Sequence, residues 1–126
     1  MPYSPLGRGF LTGSLTSAAD LGHDDTRKDH PRFTPEAFDQ NMAIAAETTA
    51  VAAEVGATPA QVALAWLLAQ GEGIAPIPCT RKVHRLEENV AADDVVLSPA
   101  QLERLTDVPA AVGGHHTDEQ MTMIER

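Results

Sequence analysis

The chain has 126 residues, is 43% hydrophobic and carries a formal net charge of −9. That length and apolar content suit one core-forming domain and argue against disorder, while the acidic balance disfavours a nucleic-acid partner, which needs several phosphate-neutralising cations on one face. The single cysteine, Cys79, excludes an internal disulfide and points to a reducing compartment; with no apolar run near ~20 residues and no signal-like start, the expectation is a soluble cytoplasmic protein with no membrane partner.

Residues 1–13 read as a short strand, Met1 to Leu11, running into a loop where Gly7, Gly9 and Gly13 permit a tight, close-approaching backbone. Pro2 and Pro5 stop any helix there. Ser14 to Pro31 is polar, without periodicity, and reads as a long surface loop. Residues 34–70 hold two helices. Thr34-Pro35 opens the first, with Phe38, Met42, Ala45, Ala46, Thr49, Ala52 and Ala53 as its apolar face and Gly56 as its stop. Thr58-Pro59-Ala60-Gln61 opens the second as a capping box. That helix, to about Gln70, is apolar nearly all round and requires neighbours on more than one side.

Residues 74–92 form a strand-like run, Ile74-Ala75-Pro76-Ile77, then a short turn, then a helical pattern from Val83 to Ala92. Residues 98–126 open with a third cap, Ser98-Pro99-Ala100-Gln101, followed by a helix through Leu102, Leu105 and Val108 and a tail that Thr117-Asp118-Glu119-Gln120 caps once more. Strand, helix, strand, helix predicts an α/β fold with parallel strands.

The turn before Val83 is the most informative place in the chain. Arg81, Lys82 and Arg85 put three of the nine basic residues within five positions of an acidic protein. A strand-to-helix turn offers backbone N–H groups and the positive end of a helix dipole. Together these predict a phosphate-bearing ligand at a βα junction; a merely solvated helix start would place cations against the dipole. Gly7-Arg8-Gly9 with Gly13 is not the dinucleotide fingerprint, because the third glycine falls one residue late. Of the five histidines, none shows helical ligand spacing, and no metal site is expected.

These segments resemble the aldo-keto reductases, NADPH-dependent oxidoreductases with a (β/α)8 barrel. Tyr3-Ser4-Pro5-Leu6-Gly7-Arg8-Gly9-Phe10-Leu11-Thr12-Gly13 is similar to the seventh strand and its loop. Thr58 to Leu68 is similar to the helix that follows, and Ile74 to Asn89 to the last strand and its nucleotide-binding turn. The resemblance implies a single partial domain: the C-terminal portion of a TIM barrel, about two βα units plus C-terminal helices. It implies that Ser4, Leu6, Gly7, Arg8 and Gly9 lie along the pyrophosphate of NADP(H), and that Thr80, Arg81 and Lys82 grip its 2′-phosphate. Arg85 would pack on the adenine and reach the same phosphate; Glu88 and Asn89 would lie near the adenine amino group. Position 79 is glycine in that motif, so Cys79 would strain a turn that needed a positive φ. His115-His116 replaces the family's aromatic-basic pair in the tail.

The family's catalytic tyrosine, lysine, aspartate and histidine have no matching positions, so no catalytic residue is assigned. The expected function is the NADP(H)-binding segment of an enzyme interconverting carbonyl compounds and alcohols, inactive as this chain alone. The small carbonyl substrate then belongs to a complete barrel. In that reading the chain is a fragment of a complete barrel or pairs with a missing barrel half; the other reading is a non-catalytic remnant, a weak nucleotide-binding or self-associating module.

Overall fold

The computed structural model describes residues 1–124; positions 125 and 126, the end of the expected tail, lie outside them. Among the described residues five α-helices carry the structure: α1 (Pro35–Val55), α2 (Pro59–Leu68), α3 (Val83–Val90), α4 (Pro99–Thr106) and α5 (Asp118–Ile124). Each expected start is realised by its own local chemistry. The hydroxyls of Thr34, Thr58 and Ser98 accept from the backbone N–H three residues on, and Gln61, Gln101 and Gln120 each reach back to the N–H of their cap residue. Gly56 ends α1 at φ 68°, a left-handed conformation that glycine adopts without a side-chain clash.

The two expected strands do not form. Among the described residues the β structure is one parallel bridge, between Tyr3 and Ile77, with the Ile77 N–H donating to the Pro2 carbonyl at 3.3 Å. The physical reason lies in the sequence: Pro2, Pro5, Pro76 and Pro78 supply no N–H on either side of the bridge, so no ladder can extend from it. Gly7–Thr12 winds into 3-10 turns instead of continuing a strand. The described residues are thus mostly helical, and their one bridge has the expected parallel sense.

The polar stretch after Ser14 is also not a free loop. It folds into short 3-10 turns, and Leu15 and Leu21 are buried. They join Phe10, Phe33, Phe38 and Ala45 in the first apolar cluster. Phe10 meets Phe38 edge-on at 5.1 Å and Phe33 at 6.0 Å, a T-shaped geometry that suits ring quadrupoles. A second cluster, Val51, Ala52 and Val62, is flanked by Val55, Leu97 and Leu105, so it ties α1, α2 and α4 together.

The buried face of α1 runs through Phe38, Asn41, Ala45, Thr48 and Ala52, with Ala37 and Val51 beside it. This corrects the expected face at Ala46, Thr49 and Ala53, all exposed. The polar members explain the misreading. Thr48 returns its hydroxyl to the Ile44 carbonyl at 2.8 Å. Asn41 accepts from the Val112 N–H at 2.7 Å and donates to the carbonyls of Val112 and Arg32 at 3.0 and 3.3 Å. These bonds strap the tail segment onto α1.

Beside this strap Gly113 takes φ 89°, and a Cβ there would lie 2.5 Å from the Pro31 carbonyl oxygen. Gly113→Ala should therefore lower stability by about 2 kcal/mol or more, from a strained φ plus overpacking against backbone. Urea denaturation of the two proteins measures it; an unchanged midpoint contradicts the close approach.

No single helix among the described residues is long and apolar enough to cross a membrane. α1 and α2 reach that length together, but the chain bends by 93° between them.

Candidate functional site

An open cleft of about 350 Å³ lies where the N-terminal turns face the segment from Ile77 to Asn89. Of the expected site residues, Ser4, Leu6, Arg8, Gly9, Thr80, Arg85 and Asn89 line it. Arg81 and Lys82 line an adjoining, more open recess together with Cys79, Thr80 and Arg85, so the three cations share one anion-accessible hollow. Gly7 does not reach the cleft; it borders a small cavity on the other side of the turn with Phe10 and Asn41. Glu88 does not line it either, and its carboxylate stands 3.7 Å from the Arg85 guanidinium, one turn back on α3.

The backbone of the N-terminal side is held in unusual conformations. Ser4 and Arg8 take φ of 47° and 56°, and the glycines at 7 and 9 take 57° and 90°. Left-handed φ costs a non-glycine residue about 1–2 kcal/mol, so the surrounding contacts must fix it. Arg27 Nη1 donates to the Arg8 carbonyl at 2.9 Å. Arg27 is itself gripped by Asp25 at 2.6 Å, which holds the Asp25 carboxyl well below its usual range, at about 2. On the far side, Arg8 Nη1 donates to the His115 carbonyl at 3.2 Å. Cys79, by contrast, has no positive φ, and positive φ outside glycine is confined to Ser4 and Arg8 among the described residues. The condition for strain at Cys79 is thus not met, and the turn accommodates a side chain there.

The helix side of the cleft differs from every other capped start. Lys82 stands at the N-cap of α3 in extended conformation and makes no side-chain cap, whereas α1, α2 and α4 all have one. An uncapped helix start leaves N–H donors and the positive dipole end open to an anion. The Thr80 hydroxyl accepts from the Lys82 N–H at 3.2 Å and shapes the turn. Within the cleft wall, Asn89 Oδ1 is buried with no hydrogen-bond partner among the described residues. An orphaned acceptor of that kind is costly unless a ligand donor meets it.

Sequence reasoning passed over Thr12, Ser14, Ile77 and Pro78 as lining residues. Thr12 and Ser14 had a readable signal, being hydroxyls just past the glycine loop; Thr12 Oγ1 donates to the Gly9 carbonyl at 2.7 Å. It also gave no role to the tail histidines. His116 Nε2 lies 3.0 Å from the Tyr3 hydroxyl, and His115 meets the Tyr3 ring edge-on at 5.0 Å. Among the described residues no group of three His, Cys, Asp or Glu side chains is placed to hold a metal ion.

His115 and His30 both titrate below the usual imidazole range. Burial is the first cause for each, and the Arg8 charge the second. His115 Nε2 and His30 Nδ1 are buried without partners among the described residues, so the added proton would have nothing to donate to. The unfolded chain therefore takes up protons first as pH falls. The contribution of the neutral histidines is complete above the unfolded value of ~6.5 and is lost as pH drops below it toward the lower folded values. Thermal midpoints should be level down to about pH 6.5 and then decline before carboxylates begin to titrate. The His30→Gln, His115→Gln double variant should flatten that decline; an equal slope in the variant would contradict it.

Comparison with known proteins follows the same segments. The sequence profile of the Aldo/keto reductase family matches residues 1–109. The chain is 45% identical over 82% of its length to aldo-keto reductase yakc [NADP(+)] of Schizosaccharomyces pombe, and covers 30% of that protein. It is 43% identical over 83% of its length to probable aldo-keto reductase 1 of Glycine max, again covering 30% of the relative. Aldo-keto reductase str7 of Strobilurus tenacellus is 41% identical over 79% of the chain, with 30% of that relative covered. The chain thus spans about 30% of the length of the curated relatives it matches.

Proposed function

Because the chain belongs to the aldo/keto reductase family, whose fold is a (β/α)8 barrel, we propose that its task is to hold NADP(H) in the cleft between the N-terminal turns and α3. The observation that carries this reading is the meeting of two sequence-distant segments around one cleft, which adjoins a recess of three cations at an open helix start. The orphaned Asn89 Oδ1 supports the fit, since an adenine amino group supplies the donor it lacks. The NADP(+) in the fission yeast relative's name agrees with it.

In this reading Thr80, Arg81 and Lys82 hold the 2′-phosphate with the exposed N–H groups at the start of α3. Arg85 lies on the adenine and bonds the same phosphate, which a planar guanidinium does better than an ammonium. Glu88 keeps Arg85 from folding away. Ser4, Leu6, Arg8 and Gly9 line the pyrophosphate side, and Gly7 supplies the turn between them. Bound NADPH brings a hydride donor for a carbonyl carbon. The residues of this chain bind and orient; reduction of a small aldehyde or ketone belongs, in this proposal, to a complete barrel that adds a proton donor. A cytoplasmic setting is part of the proposal, supported by the lone Cys79.

Calorimetry with NADPH and with NADH on the purified chain tests the assignment. NADPH should bind at least about tenfold more tightly, the worth of one charge-assisted phosphate contact. Equal affinity for the two would remove the 2′-phosphate from the cationic hollow and overturn the reading.

A further inference from the structure

Gln61 has two tasks, and they belong to different helices. Its Oε1 accepts from the Thr58 N–H at 2.9 Å, which completes the capping box of α2. Its Nε2 donates to the Glu88 carbonyl at 3.1 Å, 27 positions further along the chain. Only one orientation of the amide serves both, because a backbone N–H can only donate and a carbonyl can only accept. A capping box takes either glutamate or glutamine. Glutamate at position 61 would perform the first task and fail the second.

The second task matters because of where Glu88 stands. Its carbonyl is among the last four of α3, which a helix leaves without an intrahelical donor. Among the described residues, Gln61 supplies the one hydrogen bond from a side chain outside α3 to the backbone of that helix. The start of α3 has no side-chain cap, and the helix packs on α2. The bond therefore fixes the last turn of α3 against α2. That turn carries Asn89, whose orphaned Oδ1 belongs to the cleft wall. The Glu88 carboxylate, one residue before it, faces Arg85. We propose that Gln61 is a positioning residue for the adenine side of the cleft, acting through the Glu88 carbonyl to hold Asn89 and Arg85 opposite the N-terminal turns. Gln61 itself lines neither the cleft nor the adjoining recess. The proposal rests on the NADP(H) reading and adds no contact to the cofactor.

Gln61→Glu tests it, because the change keeps the cap and turns the donor into a carboxylate facing a carbonyl. Calorimetry should show NADPH and NADH both weakened about fivefold or more, since the adenine is common to the two. Gln101→Glu, the same change in the capping box of α4, should leave both affinities at the wild-type value. The pH profile separates positioning from lost stability. Once protonated, the introduced carboxyl regains a donor. The gap between Gln61→Glu and wild type should therefore narrow by about half from pH 7 to pH 5, where a carboxyl of pKa ~4.3 is protonated in about one molecule in six. In the free chain, amide exchange in α3 should quicken about 2- to 12-fold, the worth of one neutral hydrogen bond, while α2 exchanges as before. Wild-type affinity in Gln61→Glu, a gap equal at both pH values, or unchanged exchange in α3 would each overturn the proposal and leave the cofactor reading standing. A wild-type chain that binds neither dinucleotide would overturn both.

Discussion

Arg85→Ala should weaken NADPH binding by about 10- to 150-fold, the loss of one charge-assisted contact worth about 1.5–3 kcal/mol, and weaken NADH binding much less. Arg85 is suited to this role by what surrounds it. It sits in the first turn of an uncapped helix, where its charge opposes the dipole. Its intramolecular compensation is a long 3.7 Å pairing to Glu88, with the guanidinium still 43% exposed. A pair so open contributes little by itself, so the cation gains most from a ligand anion in the shared hollow. Arg85→Lys should fall between the two, keeping the charge and losing the stacking plane. Arg81→Ala should act in the same direction, because Arg81 lines only the recess it shares with Lys82 and Arg85. Calorimetry on the three variants decides this. A loss equal for both dinucleotides would move Arg85 away from the 2′-phosphate.

Phe38→Ala should cost about 3–5 kcal/mol, the range for emptying a fully buried phenylalanine site. Phe38 is 0% exposed and stands at the centre of the first cluster, with Phe10 against it at 5.1 Å. Phe10 belongs to the same turn as Arg8 and Gly9. The cavity would therefore open beneath the backbone that carries the left-handed Arg8. Chemical denaturation should show a lower midpoint, and NADPH affinity should fall although no lining residue has changed. Retained affinity at full folding would mean that the Arg27 and His115 contacts alone hold the turn.

The helix starts were legible because each is settled within four residues. Thr34-Pro35, Thr58-Pro59-Ala60-Gln61 and Ser98-Pro99-Ala100-Gln101 carry the acceptor, the preset φ and the returning amide in one short stretch. The strands were not legible in the same sense. Tyr3 and Ile77 have strand character, but a strand exists through its neighbours, and the prolines around both residues leave a single bridge. The face of α1 was misread because Asn41 and Thr48 are polar by composition and buried by partnership. The partners of Asn41 lie near residue 112, beyond the reach of any local pattern. The cationic turn could be read from charge density alone. That Arg8 is fixed by Arg27 and His115 could not, since those contacts join residues without periodic relation.

The bond between Tyr3 and His116 spans 113 sequence positions, and that between Arg8 and the His115 carbonyl spans 107. During synthesis Tyr3 and Arg8 emerge well before their partners His115 and His116. Until then the glycine turn has α1 and α2 to lean on but no fastening from the tail. Contacts so remote in sequence carry a loop-closure cost that slows their formation. The helical body should therefore form before these latches close, and the rim of the cleft should be among the last parts of the fold to become fixed.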